Sequence, residues 1–180
     1  GTTTVVCHLI DGKTGEKLAT VSEPSAQRSF GADVLSRIQA AEAGKLEILK
    51  EQIIFQIAQM LRTLQKKTGR GEQIQRLAVV GNTVMCHLFA GISPVSIGVT
   101  PFMPQEFFGK EYTGEQLGLT DCRSVYIAPA VAGFVGGDIT SDLLAVMQKK
   151  PKDKVLLLDI GTNGEMAVGN EDQIYCCATA

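Results

Sequence analysis

Two segments of the chain repeat one order of elements around a Gly-Thr turn, and this repetition constrains the fold most. In the later segment, the apolar run "VLLL" reaches Asp159, turns at residues 161–163 (Gly-Thr-Asn) and continues as the strand-like "GEMAVG". At the start, residues 1–3 (Gly-Thr-Thr) lead into two strand-like runs, residues 3–10 and 17–23, joined by a polar turn. The match predicts an internal duplication.

The duplication also predicts what surrounds the first turn. The second copy has a strand and an acid before its glycine, so we expect both to precede Gly1 and the sequence to be cut at both ends. Two such turns suit a nucleotide held between the duplicated halves, because glycine lets backbone amides approach phosphate oxygens and Thr or Asn adds donors. Asp159 at the strand end is placed to hold Mg²⁺ through water.

Two further strand ends lead through a polar turn into a helix. The strand "IQRLAVV" passes through Gly81 to Asn82 and Thr83 and then into a helical segment, and "SVYIAPAVAG" leads to Asp138 and a helix over residues 139–149. Such corners recur at ligand sites. We interpret Asn82 and Thr83 mainly as helix N-cap residues that face a cleft. For Asp138, an N-cap and an acid that orients water or magnesium both stay open.

The other elements are predicted from periodicity and from helix-ending residues. A helix from Asp33, read as its N-cap, runs through Ala43 and is interrupted by Gly44; a long amphipathic helix then follows up to Gly69. Residues 94–118 are rich in Pro and aromatic residues and lack periodicity, which predicts an irregular surface excursion with short helical pieces.

Several chemically reactive side chains receive a structural interpretation. His87 lies among apolar helical residues and is expected to be packed and hydrogen-bonded, and Glu165 is read as a solvated strand end. The five cysteines are an odd set without C-x-x-C spacing, so neither a disulfide framework nor a zinc knuckle is indicated, and an iron–sulfur ligand set is absent. We expect reduced, buried thiols, with adjacent members on opposite strand faces: Cys7, Cys86, Cys122, Cys176 and Cys177.

Composition excludes several classes of partner. The formal net charge of the 180 residues is -2, and no basic stripe is present that would bind nucleic acid or an anionic membrane. No apolar run approaches the roughly 20 residues that span a bilayer, and no secretory leader is recognisable. We therefore expect a soluble cytoplasmic protein without nucleic-acid or membrane partners.

The motifs resemble those of a known superfamily. "GTTT" is similar to a truncated phosphate-1 loop, and "DIGTNGE" to the phosphate-2 loop, of the ASKHA proteins (actin, sugar kinases, heat-shock ATPases). Together, "QRSFGADVLSRI", "GNTVMCHLFAG", "PFMP" and "DIGTNGEMAVG" resemble the ATPase domain of the reductive activators of corrinoid proteins, the ferredoxin-containing corrinoid activation protein family.

The resemblance implies an α/β fold of ribonuclease H-like type, a mixed sheet flanked by helices. Residues 1–150 would form a first ASKHA subdomain with inserted helices, and residues 151–180 the start of a second, truncated one. Asp138 would be catalytic, and Asp138 and Asp159 would bind metal. The cofactor-binding residues would be Gly1, Thr2, Thr3, Asn82, Asp159, Gly161, Thr162 and Asn163.

The resemblance implies an ATP-dependent reductase that returns cob(II)alamin to cob(I)alamin in a corrinoid protein or corrinoid-dependent methyltransferase. ATP and Mg²⁺ would be its cofactors. Electrons would come from an iron–sulfur domain or protein absent from this chain, the adenosine-binding motif would lie beyond Ala180, and a homodimer is left open. Two alternatives are a small-molecule kinase whose acceptor lies against residues 94–118, and a partner-docking module with a vestigial nucleotide site.

Overall fold

The structure of the chain is a computed structural model that describes residues 1–71, 73–149, 151 and 153–179. Its strands are β1 (Thr4–Ile10), β2 (Lys17–Pro24), β3 (Ile74–Val79), β4 (Lys110–Thr113), β5 (Cys122–Ile127), β6 (Val155–Ile160), β7 (Gly164–Gly169) and β8 (Ile174–Thr179). Its α-helices are α1 (Val34–Ala40), α2 (Leu46–Thr68), α3 (Thr83–Ala90), α4 (Gly114–Leu117) and α5 (Gly137–Met147). The predicted α/β class is confirmed.

Backbone hydrogen bonds group the strands into three sheets. β1 and β2 form an antiparallel hairpin, while β3 pairs parallel to β5 and β4 pairs antiparallel to β5. β6, β7 and β8 form an antiparallel sheet. Within the described residues, the mixed sheet of the first 150 positions is therefore in two parts, and an apolar cleft of about 720 Å³ separates β1 from β3.

The repeated order of elements predicted from the sequence is seen in the burial pattern of the strands and in their pairing. Val5 and Cys7 of β1 are buried and His8 is exposed, and the residues 160 positions later, Glu165 and Ala167 of β7, are buried while Val168 is exposed. Each strand is followed by an antiparallel partner, β2 or β8. The two Gly-Thr turns therefore enter equivalent strands with the same faces turned inward.

The helices begin, break and end at the cap and glycine residues predicted from the sequence. Asp33 is the N-cap of α1 and accepts a hydrogen bond from the Ser36 N–H at 2.8 Å, as expected. The backbone leaves helical geometry at Ala43 and Gly44, where the φ angle of Gly44 is 81°. α2 ends at Gly69, whose left-handed φ of 66° suits a glycine C-cap.

The prediction for residues 94–118 was wrong in part. This region contains β4 and the buried side chains of Ile97, Phe108 and Leu117, so it contributes to the core as well as to the surface. β4 has only four residues, "KEYT", and an alternation of apolar and polar residues cannot be recognised in so short a strand. Its pairing with β5 decides its conformation. The predicted short helical pieces are present as a 3₁₀ turn over Val95–Ile97 and as α4.

Two apolar clusters fix the orientation of the sheets. The larger one packs α2, through fully buried Met60 and Leu64, against both β1–β2 and the β3–β5–β4 sheet. A smaller one joins Val135 and Ile139, at the start of α5, to Ala167 of β7. α5 therefore connects the sheet of the second turn to the rest of the fold.

The cysteine prediction holds for three side chains. Cys7, Cys86 and Cys122 are buried thiols, Cys176 is half-buried and Cys177 is exposed. The expectation of burial was wrong for Cys177 because β8 is an edge strand with one open face, although the two neighbours do face opposite sides. None of the described helices is long and apolar enough to cross a membrane. Lys150 and Lys152, at the predicted boundary between the two subdomains, lie outside the described residues.

Candidate functional site

The two Gly-Thr turns lie on opposite sides of one cleft of about 330 Å³. They touch directly, because the Oγ1 atoms of Thr3 and Thr162 are 2.6 Å apart. Every residue assigned from the sequence to the cofactor or metal lines this cleft: Gly1, Thr2, Thr3, Asn82, Asp138, Asp159, Gly161, Thr162 and Asn163. The fold thus brings together residues up to 162 positions apart in the sequence. The expectation for Thr83 was wrong, because Asn82 alone caps α3 and the Thr83 hydroxyl donates to the Ala132 carbonyl outside the cleft.

The first turn is held by buried hydrogen bonds. Thr2 is only 5% exposed; its Oγ1 accepts a hydrogen bond from Asn82 Nδ2 at 2.9 Å, and its carbonyl oxygen accepts one from Arg37 Nη2. Asn82 also caps α3, since its Oδ1 accepts from the Met85 N–H at 2.9 Å. The side chain of Asn82 therefore performs both predicted roles, the helix N-cap and the contact inside the cleft.

The start of α5 packs tightly on the start of α3. A Cβ atom at Gly136 would lie 2.5 Å from the Thr83 nitrogen and 2.6 Å from the Asn82 Cα atom, so a side chain cannot fit without movement. The Thr83 hydroxyl donates to the Ala132 carbonyl at 2.7 Å, which fixes the segment that precedes α5. This contact places Asp138 in the cleft.

The N-cap interpretation of Asp138 was wrong. Gly136 occupies the N-cap position of α5, and Asp138 lies in the first helical turn, where its carboxylate accepts a hydrogen bond from the Ile139 N–H at 3.0 Å. Burial raises the pKa of Asp138, and the backbone hydrogen bonds oppose that increase. Its side chain is therefore available to a ligand in the cleft.

The second side of the cleft is acidic. Asp159, the penultimate residue of β6, pairs directly with Glu165 on β7, and Glu165 is only 6% exposed. Burial raises the pKa of Glu165 to about 7, with a further contribution from the charges of Asp138 and Asp159. The expectation of a solvated strand end was therefore wrong, because α5 covers the start of β7.

A signal for Glu165 exists in the sequence. Residues directly opposite each other in a two-stranded hairpin have side chains on the same face, and a turn at residues 161–163 pairs Asp159 with Glu165. Knowing that Asp159 faces the cleft is then enough to place Glu165 beside it. The covering by α5 depends on tertiary packing and gives no local signal.

The donor set fits a largely hydrated cation. Among the described residues, no group of three or more His, Cys, Asp or Glu side chains is arranged to hold a metal ion. Magnesium requires fewer protein ligands than that, since it keeps several waters and takes one or two carboxylates together with phosphate oxygens. Asp138 and Asp159 meet that requirement, and a cation beside them would relieve the repulsion that acts on Glu165.

The remaining sequence interpretation, that His87 is structural, is confirmed. His87 is fully buried; its Nδ1 lies 2.8 Å from the Thr83 carbonyl oxygen, and its Nε2 accepts from the Glu106 N–H at 3.3 Å. Burial lowers the pKa of His87, which favours the neutral imidazole. The edge-on contact with the Phe108 ring completes its packing.

Comparisons with known proteins agree with this geometry. Residues 1–150 match the sequence model described as the RACo middle region, and residues 153–180 match the C-terminal domain of RACo, the ASKHA domain. A solved structure named "Reductive activator for corrinoid,iron-sulfur protein" superposes with a TM-score of 0.92 at 37% identity, over 98% of this chain and 29% of that one.

Two curated relatives extend the comparison. The chain is 35% identical over 187 residues to the corrinoid activation enzyme RamQ of Eubacterium limosum, covering 100% of this chain and 31% of RamQ. It is 27% identical over 201 residues to a Methanosarcina barkeri reductase named for the Co(II) methylated amine-specific corrinoid protein, covering 100% and 35%. The chain thus spans about one third of each relative. It belongs to the RACo family, matching the models of the middle region and of the C-terminal ASKHA domain.

Proposed function

We propose that the chain is the ATP-binding portion of an ATP-dependent reductive activator of a corrinoid protein. One observation carries the proposal: in a member of the RACo family, two glycine-containing turns rich in amides and hydroxyls meet across a single cleft, with Thr3 and Thr162 in contact at 2.6 Å. Such turns bind phosphate oxygens through backbone N–H groups and hydroxyls.

In this proposal both sides of the cleft hold the phosphates of the nucleotide, the turns directly and the acids through Mg²⁺. The first turn, residues 1–3, and the second, residues 161–163, supply N–H and hydroxyl donors to the phosphates. Asp138 and Asp159 hold Mg²⁺, in part through water, and Asp138 orients the attacking water. The bound magnesium would neutralise charge on the phosphate oxygens.

Nucleotide binding would change how the two sides of the cleft close on each other. We assign residues 1–150 to a first ASKHA subdomain and residues 151–180 to the start of a second, with α5 packed against both. Closure would alter the affinity for the corrinoid partner and couple ATP free energy to the uphill one-electron step from cob(II)alamin to cob(I)alamin. The electron would come from an iron–sulfur domain or protein outside this chain.

The test is reduction of a corrinoid protein by the full-length protein, followed by the absorbance of cob(II)alamin and cob(I)alamin with a low-potential electron donor. We expect reduction to require Mg-ATP and to fall by about 100-fold in Asp159→Asn, the scale of losing a preorganised electrostatic group. Asp172→Asn, which changes an exposed acid in the β7–β8 turn, is the matched control and should leave the rate unchanged.

Two outcomes would contradict the proposal. Reduction that needs no ATP would remove the nucleotide from the function, and a normal rate in Asp159→Asn would remove this cleft from it. ATP-dependent phosphorylation of an added small molecule, without corrinoid reduction, would favour the kinase alternative.

A further inference from the structure

Arg37 is a fully buried cation at the base of the first turn. It lies on α1, is 0% exposed and is among the largest fully buried side chains of the described residues. Among the described residues, its guanidinium donates to uncharged acceptors: the Thr2 carbonyl, the Gly31 carbonyl at 3.3 Å, Gln27 Oε1 at 3.4 Å and Met85 Sδ at 3.0 Å. A positive charge is therefore held in the interior by neutral dipoles.

Arg37 forms no ion pair among the described residues. The nearby Asp33 attracts the guanidinium, but its carboxylate caps α1 through Ser36. Burial lowers the pKa of Arg37, but a guanidinium still keeps its proton in a protein. Buried charges normally have a partner of opposite sign, because desolvation is costly. The described residues therefore hold this positive charge without a direct carboxylate contact.

The contact with Thr2 also determines the direction of the next amide. In a planar trans peptide, the carbonyl of one residue and the N–H of the following residue point in opposite directions. The Thr2 carbonyl points inward to Arg37, so the Thr3 N–H points away from Arg37, and Thr3 lines the cleft. A cation at the carbonyl end polarises the peptide and strengthens the N–H as a donor.

Neighbouring contacts keep this peptide in one orientation. Gln27 is 2% exposed; its Oε1 accepts from Arg37, and its Nε2 donates to the Leu49 carbonyl at 2.8 Å. Asn82 fixes the Thr2 hydroxyl from the other side at 2.9 Å. α1, α2 and α3 thus all contribute to the position of the first turn.

We propose that Arg37 is a positioning residue for an anionic ligand: it directs the Thr3 N–H into the cleft and supplies the buried positive charge that phosphate oxygens would offset. This inference rests on the proposed ATP-binding function and deepens it, because it locates the phosphate recognition of the first side. The second side carries Asp138, Asp159 and Glu165, so a phosphate meets positive charge on one side and needs a metal ion on the other.

The test compares ATP with adenosine, which lacks the phosphates, by calorimetry on the full-length protein. For Arg37→Met we expect ATP binding to weaken by about 10- to 100-fold, the range of a charge-assisted hydrogen bond. Adenosine binding should change by less than about twofold, because adenosine has no phosphate that the charge of Arg37 could attract. Arg37→Lys keeps the charge but loses the fork of donors, so its ATP affinity should lie between wild type and Arg37→Met.

The control is another buried polar anchor, whose own side chain does not line the cleft. Gln56 is 6% exposed, accepts from the Ala26 N–H at 2.9 Å and donates to the Pro24 carbonyl at 2.8 Å. Gln56→Leu should lower the free energy of unfolding while leaving the ratio of ATP to adenosine affinity unchanged. If Arg37 only stabilises the fold, its variants should behave in the same way as Gln56→Leu.

The outcomes separate this inference from the proposed function. If wild type does not bind ATP, both fail. If wild type binds ATP and the Arg37 variants keep the ratio of ATP to adenosine affinity, only the role of Arg37 is overturned. Arg37→Lys supplies the same comparison of ligands if Arg37→Met does not fold, and an unchanged ratio in Arg37→Lys would then overturn the inference.

Discussion

The two Gly-Thr turns have the same backbone plan but very different surroundings. In the first turn, Thr2 is 5% exposed and is anchored by Arg37 and Asn82, whereas Gly161 and Thr162 of the second turn are exposed. The strand after the first turn carries Val5 at the position where the strand after the second carries Glu165. The repeated motif therefore has the same strand order and burial pattern in both places but different neighbours.

This difference divides the chemistry of the cleft. The first side offers N–H and hydroxyl donors above a buried guanidinium, and the second side offers carboxylates whose mutual repulsion favours a bound cation. In our proposal, the donors hold the phosphates directly and the acids hold them through magnesium. A set of substitutions on each side can test whether the division is real.

The largest effect is expected from removal of the metal. ATP affinity of the wild-type full-length protein should fall by about 100-fold when EDTA removes Mg²⁺, because the acids would then face the phosphates without a cation. Asp159→Asn should already have lost most of this affinity and should respond little to EDTA. Calorimetry with and without Mg²⁺ measures both, and an equal response of the two proteins would show that Asp159 does not serve the metal.

The contact between α3 and α5 should give the next largest effect. Gly136→Ala places a Cβ atom 2.5 Å from the Thr83 nitrogen, so backbone must move, and we expect a loss of about 1–3 kcal/mol in the free energy of unfolding. Gly12→Ala is the matched control, because no atom lies within 4 Å of its Cβ position. Urea denaturation compares them. Equal stability would mean that this contact does not fix the two sides relative to each other.

Two helix caps separate stability from ligand binding. Asn82→Ala and Asp33→Ala should each lower the free energy of unfolding by about 1 kcal/mol, the usual cost of a lost N-cap. Only Asn82→Ala also releases the Thr2 hydroxyl, so only that variant should weaken ATP binding. The comparison fails if both variants, or neither, change ATP affinity in a titration at constant temperature.

The pH dependence of stability should reveal the cost of charging Glu165, which is buried beside other acids on the second side. The pKa of Glu165 is raised to about 7 in the folded protein, so its protonated form stabilises the fold below the ordinary pKa of 4.5. That contribution is lost as the pH rises through about 7. Glu165→Gln stays neutral, so without nucleotide or metal it should gain stability relative to wild type between pH 5 and pH 8. Melting temperatures of both proteins test this.

For that comparison, a gain of 1 kcal/mol corresponds to roughly 2–4 °C in a domain of this size. Burial also raises the pKa of Asp138 and of Asp142, so both proteins should lose some stability as the pH rises. Only the difference between the two curves reports on Glu165. Parallel curves would mean that Glu165 titrates normally and that charging it has no such cost.

The parts of the cleft that depend on local sequence patterns can be predicted from the sequence. Both Gly-Thr turns lead directly into strands, and Asn82 and Asp138 lie at the starts of α3 and α5. Glycine and helix-start chemistry identify such positions without tertiary information. The same local rules placed the break at Gly44 and the end of α2 at Gly69. These features are set by the backbone geometry of a few consecutive residues.

The missed features depend on contacts between distant segments. Arg37 occupies an ordinary helix position and acquires its role only because α1 packs beneath the first turn. Glu165 is buried because α5 covers β7, and β4 forms because β5 offers an open edge to four residues with weak strand preference. Short-range periodicity carries no information on such packing.

The most direct test of the account is hydrogen–deuterium exchange of the full-length protein with and without a slowly hydrolysed Mg-ATP analogue. If one triphosphate is held from both sides, peptides that contain residues 1–4 and residues 161–164 should become protected together, at the same analogue concentration. Protection of one turn alone, or of neither while the analogue is bound, would contradict a shared site between the two turns.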